Sequence, residues 1–307
     1  MDALMFAGQG AQKVGMGRTL YESFASSRDT FLEAEETCGL PLRKLCFEGP
    51  EERLTDTEIA QPAILTVDIA AYRAAYGSLE PACAAGLSLG EYAALVAAGV
   101  LGFAEAVRLV RLRGRLMQEA VPRGEGGMVA LFGLDRDAVR DVCEAAGGEG
   151  EVAAANFNAP GQIVISGRTA ALEKAVERAK ALGAKRTIPL KVSAPFHMRL
   201  VAPARVGLEG PLSEVDVNAP AFPVFSNVAG EAHSPLRTRA LLATQVDHPV
   251  DWEACVEAMK GLKVDRLVEL GPGNALRGFA KRIAPDLPVC GVSEAADVEA
   301  VREGLVR

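Results

Sequence analysis

Histidine is scarce in this 307-residue sequence. His197, His233 and His248 are the only three, and no H-E-x-x-H pair occurs, so a zinc enzyme has little to build with. The six cysteines (Cys38, Cys46, Cys83, Cys143, Cys255, Cys290) lie far apart with no C-x-x-C spacing. Scattered in this way they read as small buried apolar residues in a reducing compartment, not as a disulfide framework or a metal site. Long apolar runs are missing too. The longest, from Tyr92 to Ala104, is interrupted by Gly99 and Gly102 and falls short of the roughly 18 residues a spanning helix needs. The opening MDALMFAGQG carries Asp2 and no basic residue ahead of its apolar stretch, which argues against a secretory leader. Positive charge is not in excess: the net charge of −7 disfavours a nucleic-acid binder. These absences lead to the expectation of a soluble cytoplasmic protein with no membrane, nucleic-acid or metal partner.

What is present is an alternation of strands, Gly-rich turns and helices, with 49% hydrophobic residues to fill a core. Ala3–Ala7 reads as a strand ending in the turn Gly8-Gln-Gly10, with a helix from near Met16. Gln61–Ala75 has helical spacing, and Pro81–Gly86 reads as a strand followed by a helix from Ser88 to about Ala98. The stretch from Gly127 to Val192 reads strand, helix, strand, turn (Asn158–Gly161), strand, helix, strand. This βαββαβ order is ferredoxin-like. Gly124, Gly126 and Gly127 offer a hinge ahead of it. The expected fold class is therefore α/β, with a large α/β domain (1–126 and 193–307) and a small ferredoxin-like domain (127–192) inserted into it.

Gly86-Leu-Ser88-Leu-Gly90 matches G-x-S-x-G, a sharp strand-to-helix turn that exposes a serine oxygen next to backbone N–H groups suited to an oxyanion. The plain alternative is a serine that caps the helix. In the helical stretch Phe103–Val121, the residues Phe103, Val107, Val110, Gly114, Met117 and Val121 form one stripe, while Arg108, Arg111, Arg115 and Glu119 cluster opposite. Arg113 falls inside the apolar arc. A buried charge without a partner costs several kcal/mol, so Arg113 must meet an acid in a structural salt bridge, grip a ligand carboxylate with its planar fork, or snorkel to water. His197, in a loop between the two domains, is the candidate base. His233, in a polar turn, reads as surface, and His248, before Pro249, reads as packed. Between Arg178 and Leu208 stand seven basic residues and no acid (Arg178, Lys180, Lys185, Arg186, Lys191, Arg199, Arg205). That block is either a solvated face with acids from elsewhere or a landing site for an acidic partner or a phosphorylated cofactor.

Together these residues resemble the malonyl-CoA:acyl carrier protein transacylases of fatty acid synthesis and the related acyltransferase domains of polyketide synthases. The resemblance spans nearly the whole chain. It is carried by Phe6–Gln12, Gly86–Tyr92, Arg111–Met117, Asn156–Gly161, Ala194–His197 and Glu269–Gly273. It implies an α/β-hydrolase-like large domain, with Ser88 as nucleophile and His197 as its base. The N–H groups of Gln9 and Leu89 would form the oxyanion hole. Arg113 would bind the malonyl carboxylate, Gln245 would support the histidine, and Phe196 would favour malonyl over its α-methyl analogue. It further implies coenzyme A thioester as substrate, acyl carrier protein as partner, and no cofactor. Two positions depart from the family pattern: Leu87 stands where histidine is usual, and Ala7 where proline is usual. A serine hydrolase would instead need an acid between Ser88 and His197, and Asp135, Asp137 and Asp141 fall in or near the first helix of the inserted segment. A dinucleotide fingerprint fails at Lys13.

Overall fold

The computed structural model describes residues 1–148, 150–192, 194–228 and 230–304; Ser193, in the stretch leading to His197, lies outside the described residues. Ten strands form two sheets: β1 (Asp2–Phe6), β2 (Pro81–Gly86), β3 (Gly126–Phe132), β4 (Val152–Ala159), β5 (Gln162–Arg168), β6 (Arg186–Pro189), β7 (Val224–Phe225), β8 (Val250–Asp251), β9 (Arg266–Leu270) and β10 (Val289–Val292). The first sheet runs in the order β10-β9-β1-β2-β7 and is parallel throughout. All five β1 side chains are buried, as expected of a parallel strand covered on both faces. The chain leaves β1 toward β2 on one side and returns to β9 on the other. The order therefore switches at β1, and a crevice opens at the carboxyl ends of β9, β1 and β2.

The second sheet has the order β6-β3-β5-β4-β8. Its first four strands, with helices Arg136–Ala146 and Thr169–Ala181, make the ferredoxin-like unit, so the large α/β unit and the small βαββαβ unit are both present. The helices bury an apolar face built from Val139, Val142, Leu172 and Ala175 against Val129, Leu131, Ile163 and Ile165. Three features depart from expectation. β8 comes from the C-terminal part of the chain and extends the small sheet through Asn156 and Phe157, an edge pairing that local pattern gives no hint of. The turn expected from Asn158 narrows to Pro160-Gly161, because Phe157 and Ala159 stay paired with β5. Gly126 and Gly127 are not a hinge: they pair with Arg168 and Gly167 inside β3, and a Cβ on Gly126 would meet Pro195 at 2.8 Å.

Helix Phe103–Glu119 shows the expected stripe, with Phe103, Val107, Val110, Gly114 and Met117 buried and Arg108, Arg115 and Glu119 exposed. Arg111 departs from the solvated face. It is half-buried, pairs with Glu58 at 3.2 Å and donates to the Cys38 carbonyl. Gly114 has a packing reason: a Cβ there would stand 2.5 Å from the Thr57 carbonyl, so its absence lets this helix press against helix Thr57–Ala75. That contact brings Arg113 beside Gln61. All six cysteines are buried and unpaired, and among the described residues no helix is long and apolar enough to cross a membrane.

Candidate active site

The elbow at Ser88 is made by close approach. A Cβ on Gly86 would lie 1.9 Å from the Gly90 main chain, and one on Gly90 would lie 2.2 Å from the Phe6 carbonyl. Only glycine at both positions lets the chain turn from β2 directly into helix Gly90–Ala97 beneath β1. Ser88 sits at φ 52° and His197 at φ 60°, in the left-handed region that side-chain-bearing residues avoid. Among the described residues only Lys263 shares this feature outside glycine. Strain at these two positions is held by the surrounding bonds.

Ser88 Oγ and His197 Nε2 lie 2.8 Å apart. His197 Nδ1 donates to the main-chain carbonyl of Gln245 at 2.9 Å, so a carbonyl, not a carboxylate, orients the ring. The aspartates a hydrolase triad would need are elsewhere: Asp135 caps helix Arg136–Ala146, Asp137 pairs with Arg140, and Asp141 is exposed. Arg113 is only 1% exposed, and no acid pairs with it among the described residues. Its Nη1 donates to Gln61 Oε1 at 2.8 Å. Its Nη2 donates to Ser88 Oγ at 3.0 Å and to Gln245 Oε1 at 2.9 Å. The guanidinium also sits 5.7 Å from the centroid of the Tyr92 ring, while its Nε has no partner. Among the described residues the structural salt bridge is thus absent, and the guanidinium is buried with neutral partners only.

Burial, joined by the nearby Arg113 charge, pushes the His197 pKa from 6.5 down to about 3, against the pull of the Gln245 carbonyl bond. Burial also lowers the Arg113 pKa. The ring is therefore neutral, with Nε2 free to take a proton from Ser88.

The remaining expected residues surround this centre. Gln9 lines the same cleft as Ser88, and Leu89 follows Ser88 directly at the start of helix Gly90–Ala97. Neither main-chain N–H has an acceptor among the described residues. The Gln9 side chain donates to Thr57 Oγ1 at 3.2 Å. Phe196 is buried and lines a cleft of about 420 Å³ that also takes in Ser88, Arg113, His197 and the Leu87 side chain. The small sheet forms the opposite wall through Met128, Ala130 and Val164, and Lys191 stands on the rim. Glu269 is buried at the start of helix Ala275–Ile283, where it accepts the Leu276 and Arg277 N–H groups. No cluster of metal-ligating side chains is found among the described residues.

Two histidines reverse their expected places. His233 is 4% exposed and bonded to Glu91, whereas His248 is exposed beside Asp247. In the basic block, Lys180 pairs with Glu177, and Arg205 with Glu209 and Asp247, so part of it is the solvated face with acids from elsewhere. Sequence reasoning passed over Gln61, Asn227 and Glu91. The signal for Gln61 and Glu91 was present, since each is a polar residue in an apolar helical run. Asn227 carried none.

The chain matches the acyl transferase domain family over residues 4–250. It is 44% identical to the malonyl CoA-acyl carrier protein transacylase of Haemophilus influenzae, across 99% of each chain. It superposes on an acyl carrier protein S-malonyltransferase from Vibrio cholerae with a TM-score of 0.94 and 44% identity, covering 98% of this chain and 99% of that one. A malonyl-transacylase solved with a type II polyketide synthase acyl-carrier protein gives 0.95 and 42% identity, with 99% of each chain covered.

Proposed function

This chain belongs to the acyl transferase domain family and moves malonyl groups from coenzyme A to acyl carrier protein, and we propose that it does so through a covalent intermediate on Ser88. The observation that carries the assignment of residues is the meeting of the Ser88 hydroxyl, the His197 imidazole and the acid-free Arg113 guanidinium in one cleft.

In the first half-reaction Ser88 Oγ attacks the thioester carbon and its proton passes to His197 Nε2. The oxyanion rests on the N–H groups of Gln9 and Leu89. Collapse breaks the carbon–sulfur bond, and the coenzyme A thiolate takes the proton from His197. The phosphopantetheine thiol of the carrier then reverses these steps and leaves with the malonyl group. Every group needed comes from the chain, so the exchange requires no cofactor. The malonyl carboxylate pairs with Arg113 and draws its Nη2 hydrogen bond away from Ser88 Oγ. It also offsets the positive charge that depresses His197, so the dicarboxylic substrate itself frees the nucleophile and strengthens the base. Phe196 crowds the position of an α-methyl group.

In this reading residues 1–126 and 193–307 carry the chemistry, and residues 127–192 close the cleft above it. Lys191 on the rim, with exposed Arg178, Lys185 and Arg186, offers an acidic carrier its landing site. The buried free thiols fit a cytoplasmic enzyme. The malonyl-carrier product feeds chain building of the fatty acid or polyketide type. Intact-mass analysis after mixing with malonyl-, acetyl- and methylmalonyl-CoA in competition tests the proposal. A malonyl adduct on Ser88 is expected to dominate, and its absence, or equal loading of all three, overturns it.

A further inference from the structure

Behind the elbow lies a second polar cluster, none of whose residues lines the cleft. Glu91, in the first turn of helix Gly90–Ala97, is fully buried. Its Oε1 lies 2.7 Å from His233 Nε2, and its Oε2 accepts the Asn227 N–H at 2.9 Å and Gln245 Nε2 at 2.8 Å. Each of those two partners continues to the reacting groups. Asn227 Oδ1 accepts the Ser88 N–H at 2.6 Å while its Nδ2 donates to the Gly86 carbonyl at 2.8 Å, so one amide clamps the turn from both sides. Gln245 donates to the Ser88 carbonyl at 2.9 Å, accepts from Arg113 through its side chain, and holds His197 through its main chain. Four bonds to the nucleophile, its base and the guanidinium thus trace back to one carboxylate.

His233 is held between two neighbours. The Thr238 hydroxyl donates to the Ser234 carbonyl at 2.8 Å, so it turns a lone pair toward His233 Nδ1, 3.3 Å away. Both ring nitrogens lie within hydrogen-bond reach of a neighbour, Glu91 on one side and Thr238 on the other. Hydrogen bonds to a carboxylate are charge-assisted and about twice as strong as neutral ones. That strength is used to hold a serine at positive φ.

We infer that Glu91, paired with His233, is a positioning residue that sets the register of Ser88, Gln245 and Arg113 without touching substrate. The inference rests on the acyl-transfer reading of Ser88. The test is the single-turnover rate of malonyl adduct formation on Ser88 across a range of malonyl-CoA concentrations, measured well below each variant's melting temperature. The isosteric Glu91→Gln is expected to lower the saturating rate about 100-fold, the usual effect of a misplacement near 1 Å, with the half-saturating concentration moving less than about threefold. His233→Leu should fall by a similar factor, and His233→Gln, which keeps a donor at the Nε2 position, should return to within about tenfold of the parent. A double Glu91→Gln/His233→Gln variant should be no slower than Glu91→Gln alone, because the two changes break one unit. Saturating rates within twofold of the parent in Glu91→Gln and His233→Leu overturn the inference, as do multiplied losses in the double variant. A parent enzyme that forms no adduct at all removes the Ser88 reading instead, which keeps the two failures apart.

Discussion

The front and the back of the Ser88 elbow treat histidine and charge in opposite ways. On the front, His197 is backed by a carbonyl and stands beside a cation that no acid among the described residues pairs with. On the back, His233 is bonded to the buried Glu91 carboxylate, and every donor around that carboxylate is matched. The contrast shows what each side is for. An unneutralised guanidinium and a ring with a depressed pKa are costly unless a ligand completes them, which fits the proposal that the front receives an anion. The back is complete by itself, which suits a part that must not move while chemistry proceeds in front of it.

The largest test of this contrast removes the front's reacting atom. Ser88→Ala should abolish the adduct in intact-mass spectra and cut transfer by something on the order of 10⁶-fold, as loss of a nucleophile does in other serine enzymes. The back cluster should survive, with melting temperature close to the parent. A persistent adduct would displace Ser88. Next, Arg113→Ala should lower the preference for malonyl- over acetyl-CoA by about 100-fold in kcat/KM, the worth of a buried charge-assisted pair. Unchanged selectivity in competition assays would contradict the front as an anion site.

The third test is pH. The free enzyme's His197 loses its proton near 3, so the acid limb of kcat/KM should lie far below the ordinary histidine value of 6.5, and Arg113→Ala should move it upward. The sign for stability follows from the same shift. Between about 3 and 6.5 the unfolded chain binds the proton that native His197 refuses, so this residue's contribution to stability falls as pH drops through that window. An acid limb near 6.5 in both forms would break the argument. The smallest effect is expected at the far back. Thr238→Val removes the acceptor at His233 Nδ1 and should cost about 1 kcal/mol in denaturant unfolding with less than about a threefold change in kcat. A larger loss of kcat would show that the contact at His233 Nδ1 shares in positioning Ser88.

The site residues were legible in the sequence to different depths, for physical reasons. Ser88 was marked by its flanking glycines, because close backbone approach leaves no room for a side chain there. Arg113 was marked by periodicity, since a charge inside an apolar arc has to be explained by something it meets. His233 misled: a polar turn surrounds it in sequence, but β7 and helix Thr238–Gln245 fold it inward to a carboxylate far away along the chain. Arg111 misled in the same way, since Glu58 waits on another helix. The edge strand β8 could not have been read at all, because two residues pairing with a distant strand carry no local pattern.

By itself, then, the order of residues determined the alternation of strands and helices, the inserted βαββαβ unit, the glycine-bounded turn and the oddity of a cation on an apolar face. All of these follow from local sterics and from periods of a few residues. Only the tertiary structure decided what the cation meets, which histidine is buried with an acid and which with a carbonyl, and that Gln245 links them. Those choices depend on groups 25 to 142 positions apart coming within about 3 Å, and burial gives such contacts their weight.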